Sequence, residues 1–232
     1  MRDLPDTVML FAAGFGTRMG ALTRTRPKPL IAVAGRPLLT HALNLAEAAG
    51  IARKVVNTHY LGSQIAAFLA GQPDIAISHE SPQILETGGG LKHALPLLDG
   101  SPVFTLNTDA VWTGDNPFDE LRAAWDPARM DALLLLVDPQ DARGHSGKGD
   151  FRRGSGGQLS RGAGEIYAGA QILNTALLSE VAEPAFSLNL LWDRMLARGR
   201  LFGCLHRGGW CDVGRPEGIA VAEAMLAEAG NA

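Results

Sequence analysis

Small and basic residues near the N-terminus form a segment that could hold phosphate, Ala12-Ala13-Gly14-Phe15-Gly16-Thr17-Arg18. Residues without bulky side chains let backbone N–H groups approach a phosphate chain closely. Arg18 adds a planar fork of donors for phosphate oxygens. Lys28 follows with a proline on each side, and these prolines restrict the backbone and hold its ammonium group at a set distance from the segment. Together these residues predict a loop that holds a nucleoside triphosphate.

Two known glycine motifs do not fit this segment. The dinucleotide fingerprint has glycines in the order G-x-G-x-x-G, and here Gly14 and Gly16 fit but Met19 stands at the third position. This mismatch disfavours a dinucleotide-dependent oxidoreductase. The P-loop requires Lys-Ser or Lys-Thr after its last glycine, and that pair is absent. The glycines alone would favour a plain turn, so the phosphate interpretation depends on Lys28.

Triphosphate chemistry usually requires a Mg²⁺ ion held by carboxylates, and Asp109 is a candidate ligand. Asp109 follows an apolar run, Val103–Asn107, that predicts a buried strand, so it stands where ligands bind in open α/β sheets. Asp212 lies far away in the sequence, shortly before Gly214. From the residues alone, each aspartate could also belong to an ordinary turn or helix cap.

A set of motifs extends over nearly the whole chain: Leu10-Phe11-Ala12-Ala13-Gly14-Phe15-Gly16-Thr17-Arg18-Met19, Pro27-Lys28-Pro29-Leu30, Val33-Ala34-Gly35-Arg36-Pro37-Leu38, Leu85-Glu86-Thr87-Gly88-Gly89-Gly90, Asn107-Thr108-Asp109 and Trp210-Cys211-Asp212-Val213-Gly214. Together they resemble the sugar-phosphate nucleotidyltransferase family. The resemblance implies an enzyme that joins a nucleoside triphosphate to a sugar 1-phosphate and releases pyrophosphate. Within the family, the short chain and residues 86–90 are similar to the uridylyltransferases of cell-wall recycling, which implies UTP and N-acetylmuramic acid 1-phosphate as substrates.

Two alternatives remain open at this stage. A guanylyltransferase for mannose or heptose 1-phosphate would share these motifs, because residues 86–90 do not reveal which base they contact. A non-catalytic nucleotide-sugar-binding or regulatory subunit could have the same fold. Such a subunit could lose any of the charged groups, yet all four of Arg18, Lys28, Asp109 and Asp212 are present.

We assign individual roles with the help of the resemblance. Arg18 would contact the pyrophosphate leaving group and Lys28 the α-phosphate and the incoming phosphate, so Arg18, Lys28 and Asp109 are the candidate catalytic residues. The resemblance implies that Asp109 and Asp212 converge on the metal. The predicted nucleotide-binding residues are Ala12, Ala13, Gly14, Gly16, Thr17, Arg18, Lys28, Glu86, Gly88, Gly89 and Asn107.

Two further groups of residues are predicted to contact the base and the sugar. Gly88 and Gly89 would open a helix and lie against the nucleobase, with free N–H and C=O groups that read its edge. By correspondence with the family, the sugar-binding candidates are Gly149, Asp150, Glu165 and Gly169. For the two carboxylates, an ordinary solvated loop position is an equal alternative.

Three features depart from the family pattern. Gly20-Ala21 stands where many relatives have a basic residue and a proline, so this loop is expected to be more mobile or to contact pyrophosphate less. Thr108 precedes Asp109, where glycine is common, and its side chain could alter the metal geometry. Residues 144–164 are glycine-rich and have no clear counterpart.

The elements that must position these residues alternate along the chain. Apolar runs predict strands at Thr7–Phe11, Ile75–His79, Val103–Asn107, Ala132–Val137 and near 54–58, 167–173 and 200–205, and helical periodicity predicts helices between them. The alternation predicts an α/β fold, a Rossmann-like mixed and mostly parallel sheet flanked by helices. Residues 141–165 are predicted to be a mobile hairpin or loop around Asp150-Phe151-Arg152.

Composition limits the remaining possibilities. The 232 residues, 46% of them hydrophobic, fit one domain, with residues 1–110 as a nucleotide-binding half and 111–232 as a sugar-binding half. A net charge of −3 argues against a nucleic-acid or membrane partner, so small-molecule substrates are expected and the oligomeric state stays open. Cys204 and Cys211 fit no metal or redox spacing and are expected to be reduced. No signal-like apolar run follows the Met1-Arg2-Asp3 start, which favours the cytoplasm.

Overall fold

A computed structural model describes residues 4–230, so Met1, Arg2 and Asp3, where the sequence begins, lie outside the described residues. In chain order the strands are β1 (Thr7–Phe11), β2 (Ala32–Val33), β3 (Arg36–Pro37), β4 (Arg53–Thr58), β5 (Ile75–His79), β6 (Val103–Asn107), β7 (Ala110–Trp112), β8 (Ala132–Val137), β9 (Ala142–Arg143), β10 (Phe151–Arg153), β11 (Leu159–Arg161), β12 (Ile166–Leu173), β13 (Leu201–Leu205) and β14 (Trp210–Asp212). The α-helices are α1 (Leu38–Ala48), α2 (Gly62–Phe68), α3 (Glu86–Ala94), α4 (Pro117–Ala124), α5 (Asn189–Ala197) and α6 (Glu217–Glu228). Short 3₁₀ helices lie at Thr17–Thr23, Lys28–Leu30, Leu95–Leu97 and Thr175–Glu180.

The central sheet has seven strands in the order β13-β8-β12-β6-β1-β4-β5. Neighbouring strands are parallel except at β12, which runs antiparallel to both β6 and β8. The predicted mixed, mostly parallel sheet is therefore confirmed. Because β1, β4, β5 and β6 run in one direction, their carboxyl ends meet at one edge, where Phe11 pairs with Asn107.

Both faces of the sheet are covered, which explains why its strands read as nearly continuous apolar runs. On β1, Val8 and Leu10 join one buried cluster with side chains of α1 and α4, while Met9 joins another with side chains of α3 and α5. Every residue of β8 is buried. Alternating side chains of one strand thus supply two cores, and the sheet edge stays free for a ligand.

A second, three-stranded sheet has the order β7-β14-β9 and was not predicted. β14 runs antiparallel to β7 and parallel to β9. A third apolar cluster, which includes Met19, Val213 and Met225, joins this sheet to α6 and to the glycine-rich N-terminal segment. The small sheet therefore brings the C-terminal part of the chain to the carboxyl edge of the large one.

Two further expectations can be compared with the structure. The helix predicted to begin near Gly90 begins at Glu86, so the three glycines lie inside its first turns. The hairpin predicted around residue 151 is confirmed as the antiparallel pair β10–β11, and Phe151 is fully buried against Trp192. The mobility predicted for residues 141–165 remains a prediction.

Cys204 and Cys211 are free thiols. Among residues 4–230, no helix is long and apolar enough to cross a membrane.

Candidate active site

A cleft of about 310 Å³ opens at the carboxyl edge of the large sheet. The predicted site residues that line it are Ala12, Ala13, Gly14, Gly16, Thr17, Arg18, Lys28, Glu86, Asn107 and Asp109. The structure thus brings the glycine segment, the lysine between prolines and the aspartate after β6 to one cavity. Such a position, beyond the carboxyl ends of parallel strands, is where α/β proteins bind their ligands.

The glycine segment wraps closely around Lys28. Gly16 has a φ of +63°, and a Cβ at this position would lie 2.9 Å from the Cβ of Lys28 and 3.0 Å from the Cγ2 of Thr23. A side chain would therefore be strained by the backbone and would also push the lysine away. The Thr23 hydroxyl donates to the Gly16 carbonyl at 3.0 Å, which fixes the return of the loop.

The departure at Gly20-Ala21 has a local structural consequence. Gly20 has φ +60° and ψ −122°, a non-helical conformation that interrupts the 3₁₀ segment Thr17–Thr23. A Cβ on Gly20 would meet no atom within 4 Å, so only the backbone conformation demands glycine there. Met19, beside it, is fully buried and anchors the loop to the third apolar cluster.

Lys28 and Asp109 form an ion pair within the cleft. The Lys28 Nζ atom lies 2.9 Å from Asp109 Oδ2, and the Lys28 side chain is 10% exposed whereas the Asp109 side chain is 34% exposed. An ammonium group has three N–H donors, so Lys28 can hold Asp109 and still donate to phosphate oxygens. Burial of the lysine strengthens both interactions, because solvent screens them less.

Asp212 comes next to Asp109 through the pairing of two three-residue strands. In the β7–β14 ladder Asp212 stands opposite Ala110, and the Val213 N–H donates to the Asp109 carbonyl at 2.8 Å. The pKa of Asp212 is raised above its usual value, first by burial and then by the negative charge of Asp109. Lys28 and Arg18 act against this rise. The structure therefore brings together the four charged groups that the sequence singled out.

The two carboxylates offer a test of whether Mg²⁺ fits here. Within residues 4–230, no group of three or more His, Cys, Asp or Glu side chains is arranged to hold a metal ion alone. Mg²⁺ is typically bound by one or two carboxylates together with phosphate oxygens and water. Asp109 and Asp212 are two carboxylates that repel each other at this edge of the sheet, so they offer the hard oxygen donors that Mg²⁺ requires. Asp109 and Asp212 therefore fit a substrate-bridged magnesium ion.

Asn57 and Glu80 are cleft residues that sequence reasoning missed. The Asn57 side chain accepts the Ala12 N–H at 2.7 Å and donates to Glu80 at 2.7 Å, while the other Glu80 oxygen accepts the Leu85 N–H at 2.7 Å. Glu80 is fully buried, and a Cβ on Gly90 would lie 2.5 Å from its Oε1 atom. This network of hydrogen bonds connects the glycine segment at Ala12 to Leu85, directly before the start of α3. Asn57 stands near the carboxyl end of β4 and Glu80 directly follows β5, and both strands are predicted from the sequence. Their position at these strand ends could therefore have identified them as site residues.

The prediction that Gly88 and Gly89 offer free N–H groups to a base is wrong. Both N–H groups donate to the Phe186 carbonyl, at 2.8 and 3.0 Å. A Cβ on Gly88 would lie 2.4 Å from the Phe186 ring, and one on Gly89 would lie 2.2 Å from the Pro184 carbonyl oxygen. The glycines serve close packing of α3 against residues 184–186, and Glu86 and Thr87 are the residues of this motif that line the cleft.

Thr108, the second departure from the family pattern, has a defined role in the structure. Its hydroxyl donates to the Phe11 carbonyl at 2.7 Å, and the residue is 3% exposed. The side chain therefore ties the loop after β6 to the end of β1. Its hydroxyl is directed to the backbone of β1 and leaves the Asp109 carboxylate free to pair with Lys28.

A second cavity of about 290 Å³ adjoins the first and shares Thr87 and Asn107 with it. Its other lining residues are Asp150, Phe151, Arg161, Tyr167, Ser187, Leu188, Asn189 and Trp192. Of the four predicted sugar-binding residues, only Asp150 lines this cavity. Its Oδ2 atom accepts the Tyr167 N–H at 2.9 Å, which leaves the other oxygen for a ligand.

The other three sugar candidates have structural partners instead. Glu165 accepts hydrogen bonds from Arg153, from Nη2 to Oε1 at 3.0 Å and from Nε to Oε2 at 3.1 Å and to Oε1 at 3.2 Å. Gly149 has a φ of +85°, and its Cβ would lie 1.9 Å from the Gly164 carbonyl oxygen. Gly169 has a φ of +93°, and its Cβ would lie 2.9 Å from the Asn107 Cβ. Gly149 allows a close approach to the backbone of Gly164, and Gly169 allows one to the side chain of Asn107, which is one of the two residues shared by both cavities.

Fold and site together define an α/β nucleotidyltransferase, with a glycine-rich loop, a buried lysine and two carboxylates at the carboxyl edge of a mixed sheet. Residues 8–183 match the family described as the MobA-like NTP transferase domain, and the chain belongs to that family as a sugar-phosphate nucleotidyltransferase.

Several known proteins resemble this chain. It is 41% identical to the N-acetylmuramate alpha-1-phosphate uridylyltransferase of Caulobacter vibrioides, over 99% of this chain and 100% of that protein. The protein of the same description from Neisseria meningitidis serogroup B is 34% identical, over 94% and 96%. A mannose-1-phosphate guanyltransferase of Hypocrea jecorina is 29% identical, over 90% of this chain and 61% of that protein.

A solved structure shares the fold. It is that of HddC from Yersinia pseudotuberculosis complexed with GMP-PN, with a TM-score of 0.77 and 21% identity over 94% of this chain and 98% of that one.

Proposed function

We propose that this enzyme transfers the uridylyl group of UTP to N-acetylmuramic acid α-1-phosphate and releases pyrophosphate. The observation that carries the proposal is the 41% identity, over essentially the full length of both chains, with a uridylyltransferase for that sugar phosphate. The cleft supports it, because Lys28, Asp109 and Arg18 line one cavity large enough for a nucleotide. UTP is a cytoplasmic nucleotide, so we propose the cytoplasm as the place of the reaction.

The reaction brings two anions together, so the site must cancel charge and align the reacting groups. A phosphate oxygen of the sugar attacks the α-phosphorus of UTP, a new P–O bond forms, and the bond to the bridging oxygen breaks so that pyrophosphate leaves. Lys28 donates to the α-phosphate and the incoming phosphate. Arg18 donates to the departing pyrophosphate, together with backbone N–H groups of residues 14–17. Because Lys28 is held by Asp109, its ammonium group is oriented before the substrates arrive.

Asp109 and Asp212 are the residues that would hold Mg²⁺. When bound, the ion supplies positive charge to the phosphate oxygens and lowers the repulsion between the two substrates. The substrates themselves must complete its coordination, since two carboxylates alone do not. The carboxylate pair therefore links metal affinity to nucleotide binding.

The residues that line the two cavities come mainly from different parts of the chain. Apart from Gly214, the residues that line the first cavity lie within positions 11–109. The second cavity takes most of its residues from positions 150–192. We propose residues 1–110 as the nucleotide half and residues 111–232 as the sugar half of one domain, with Asp150 as a partner for sugar hydroxyls.

A guanylyltransferase for mannose or heptose 1-phosphate is the second candidate. It is favoured by the 29% identity with the mannose-1-phosphate guanyltransferase of Hypocrea jecorina. Pyrophosphate release should be measured for UTP, GTP, TTP, CTP and ATP, each with N-acetylmuramic acid, N-acetylglucosamine, mannose and heptose 1-phosphates. We expect UTP with N-acetylmuramic acid 1-phosphate to give the highest kcat/KM. Highest activity with GTP and mannose or heptose 1-phosphate would favour the alternative, and no release in any combination would overturn both.

A further inference from the structure

The second cavity has an aromatic wall and one positive charge. The rings of Tyr167 and Trp192 are 4.9 Å apart and meet edge to face, and Phe151 lies 5.9 Å from Trp192. The guanidinium carbon of Arg161 lies 4.8 Å from the Phe151 ring centroid and 5.7 Å from that of Trp192. Within the described range, Arg161 is the only cationic residue that lines this cavity.

The guanidinium of Arg161 is held in place along one edge and open along another. Its Nε and Nη2 atoms donate to Asp193 Oδ1 at 3.0 and 2.8 Å, and Nη2 also donates to Asn189 Oδ1 at 2.8 Å. Among residues 4–230, no hydrogen-bond acceptor is found for Nη1. A guanidinium fixed by stacking and by two partners loses little entropy when it binds a further anion.

A neutral sugar would not require this cation. The charged residues that line the cavity are Arg161 and Asp150, and one Asp150 oxygen already accepts the Tyr167 N–H. Without Arg161, an anionic substituent placed here would meet only negative charge, from Asp150 in the lining and from Asp193 beside it. Because the cavity shares Thr87 and Asn107 with the nucleotide cleft, a sugar whose phosphate lies at Lys28 can extend into it.

We propose that Arg161 binds the carboxylate of the lactyl ether that distinguishes N-acetylmuramic acid from N-acetylglucosamine. This assignment rests on the proposed function and names the residue that gives it its sugar specificity. Planar guanidinium and carboxylate groups form charge-assisted hydrogen bonds that are about twice as strong as neutral ones. The Trp192 and Tyr167 rings would pack against the apolar side of the sugar, and Arg161 would select the acidic sugar.

The test compares Arg161→Gln with the wild type on N-acetylmuramic acid 1-phosphate and N-acetylglucosamine 1-phosphate. The readout is the ratio of the two kcat/KM values. We expect this ratio to fall about 10- to 100-fold in Arg161→Gln, mainly through KM of the acidic sugar, because the contact is remote from the reacting phosphorus. Arg152→Gln is the matched control, since Arg152 lies on the same hairpin outside the cavity and donates to the Ala163 carbonyl. An unchanged ratio in Arg161→Gln would overturn the assignment.

A chemical variant of the substrate keeps the proposal testable if Arg161→Gln does not fold. The methyl ester of the lactyl carboxylate should lose about the same factor with the wild-type enzyme as the acid loses with Arg161→Gln. Equal kcat/KM for acid and ester would overturn the role of Arg161 while leaving uridylyl transfer intact. A wild-type enzyme that makes no UDP-sugar from N-acetylmuramic acid 1-phosphate would instead contradict the proposed function, and the assignment with it.

Discussion

The Nζ atom of Lys28 lies 2.9 Å from the Oδ2 atom of Asp109, so the group assigned to phosphate and the group assigned to metal form one ion pair. Each partner holds the other in position before substrates bind. A change in either residue therefore alters both phosphate binding and metal binding, and their effects on activity should not be additive.

Lys28→Met should lower kcat/KM about 10²- to 10³-fold, as expected for the loss of one charge-stabilising donor. Lys54→Met is the matched control, because Lys54 is equally buried and pairs with Asp74 away from the cleft. Steady-state kinetics and thermal unfolding of both variants separate the two effects. An equal loss of kcat/KM in both variants would mean that Lys28 acts only through stability.

Asp212→Asn should raise the melting temperature at neutral pH while it reduces activity. The pKa of Asp212 is raised in the folded state, so the folded protein prefers the protonated form, and stability is lost as pH rises from about the usual 3.8 through the raised pKa. A neutral side chain removes this penalty. A gain of about 1 kcal/mol corresponds to roughly 2–4 °C for a chain of this size.

Asp74→Asn should change the melting temperature at neutral pH in the opposite direction to Asp212→Asn. The pKa of Asp74 is lowered by its hydrogen bond with Lys54, so its contribution is present at neutral pH and is lost as pH falls through the folded-state pKa. Thermal unfolding from pH 3 to pH 8 should show Asp74→Asn below the wild type at neutral pH. A melting temperature of Asp212→Asn below the wild type at pH 7, without metal, would contradict the repulsion between Asp212 and Asp109.

Mg²⁺ should stabilise the wild type more than Asp212→Asn. Binding to the folded state alone adds about 1.4 kcal/mol when the free ion is at ten times its dissociation constant. Melting temperatures with and without Mg²⁺, in the presence of a non-hydrolysable UTP analogue, measure the difference. Removal of the metal with EDTA should abolish turnover of the wild type, and readdition should restore it. An equal shift in both proteins would exclude Asp212 as a ligand.

Asn57→Leu should destabilise the fold and weaken nucleotide binding, because it leaves the Ala12 N–H without its acceptor and the Oε1 atom of buried Glu80 without its side-chain donor. Losing one partner of a buried charged hydrogen bond costs about 3 kcal/mol. The double variant Asn57→Leu/Glu80→Leu should lose less than the sum of the single variants, since it removes the buried charge as well. Urea unfolding of the three variants measures this, and strictly additive costs would contradict the network.

The carboxyl-edge residues of the site could be predicted from the sequence because they follow long buried strands. Asp109 comes two residues after β6, and the apolar run that forms β6 predicts its position directly. Asn57 and Glu80 stand at or just after the ends of β4 and β5, so the same reasoning extends to them. A continuous apolar run is a local feature, so it can be read directly from the sequence.

The remaining features depend on contacts between distant segments. Asp212 reaches Asp109 through three-residue strands too short to show periodicity. Gly88 and Gly89 suggested free N–H groups, but the acceptor that uses them is Phe186, on a segment almost a hundred residues later. Arg161 lies on a short strand in a glycine-rich stretch, and only its stacking on Phe151 and Trp192 shows that it is held in place.

Product formation from UTP and N-acetylmuramic acid 1-phosphate is the most direct test of the proposed activity. Mass spectrometry and a coupled pyrophosphate assay should show UDP-N-acetylmuramic acid and pyrophosphate in equal amounts with the wild type. Asp109→Asn, which removes the charge that pairs with Lys28, should form neither above background. Equal product formation by Asp109→Asn, or no UDP-sugar from the wild type, would contradict a uridylyl transfer site built on Lys28 and Asp109.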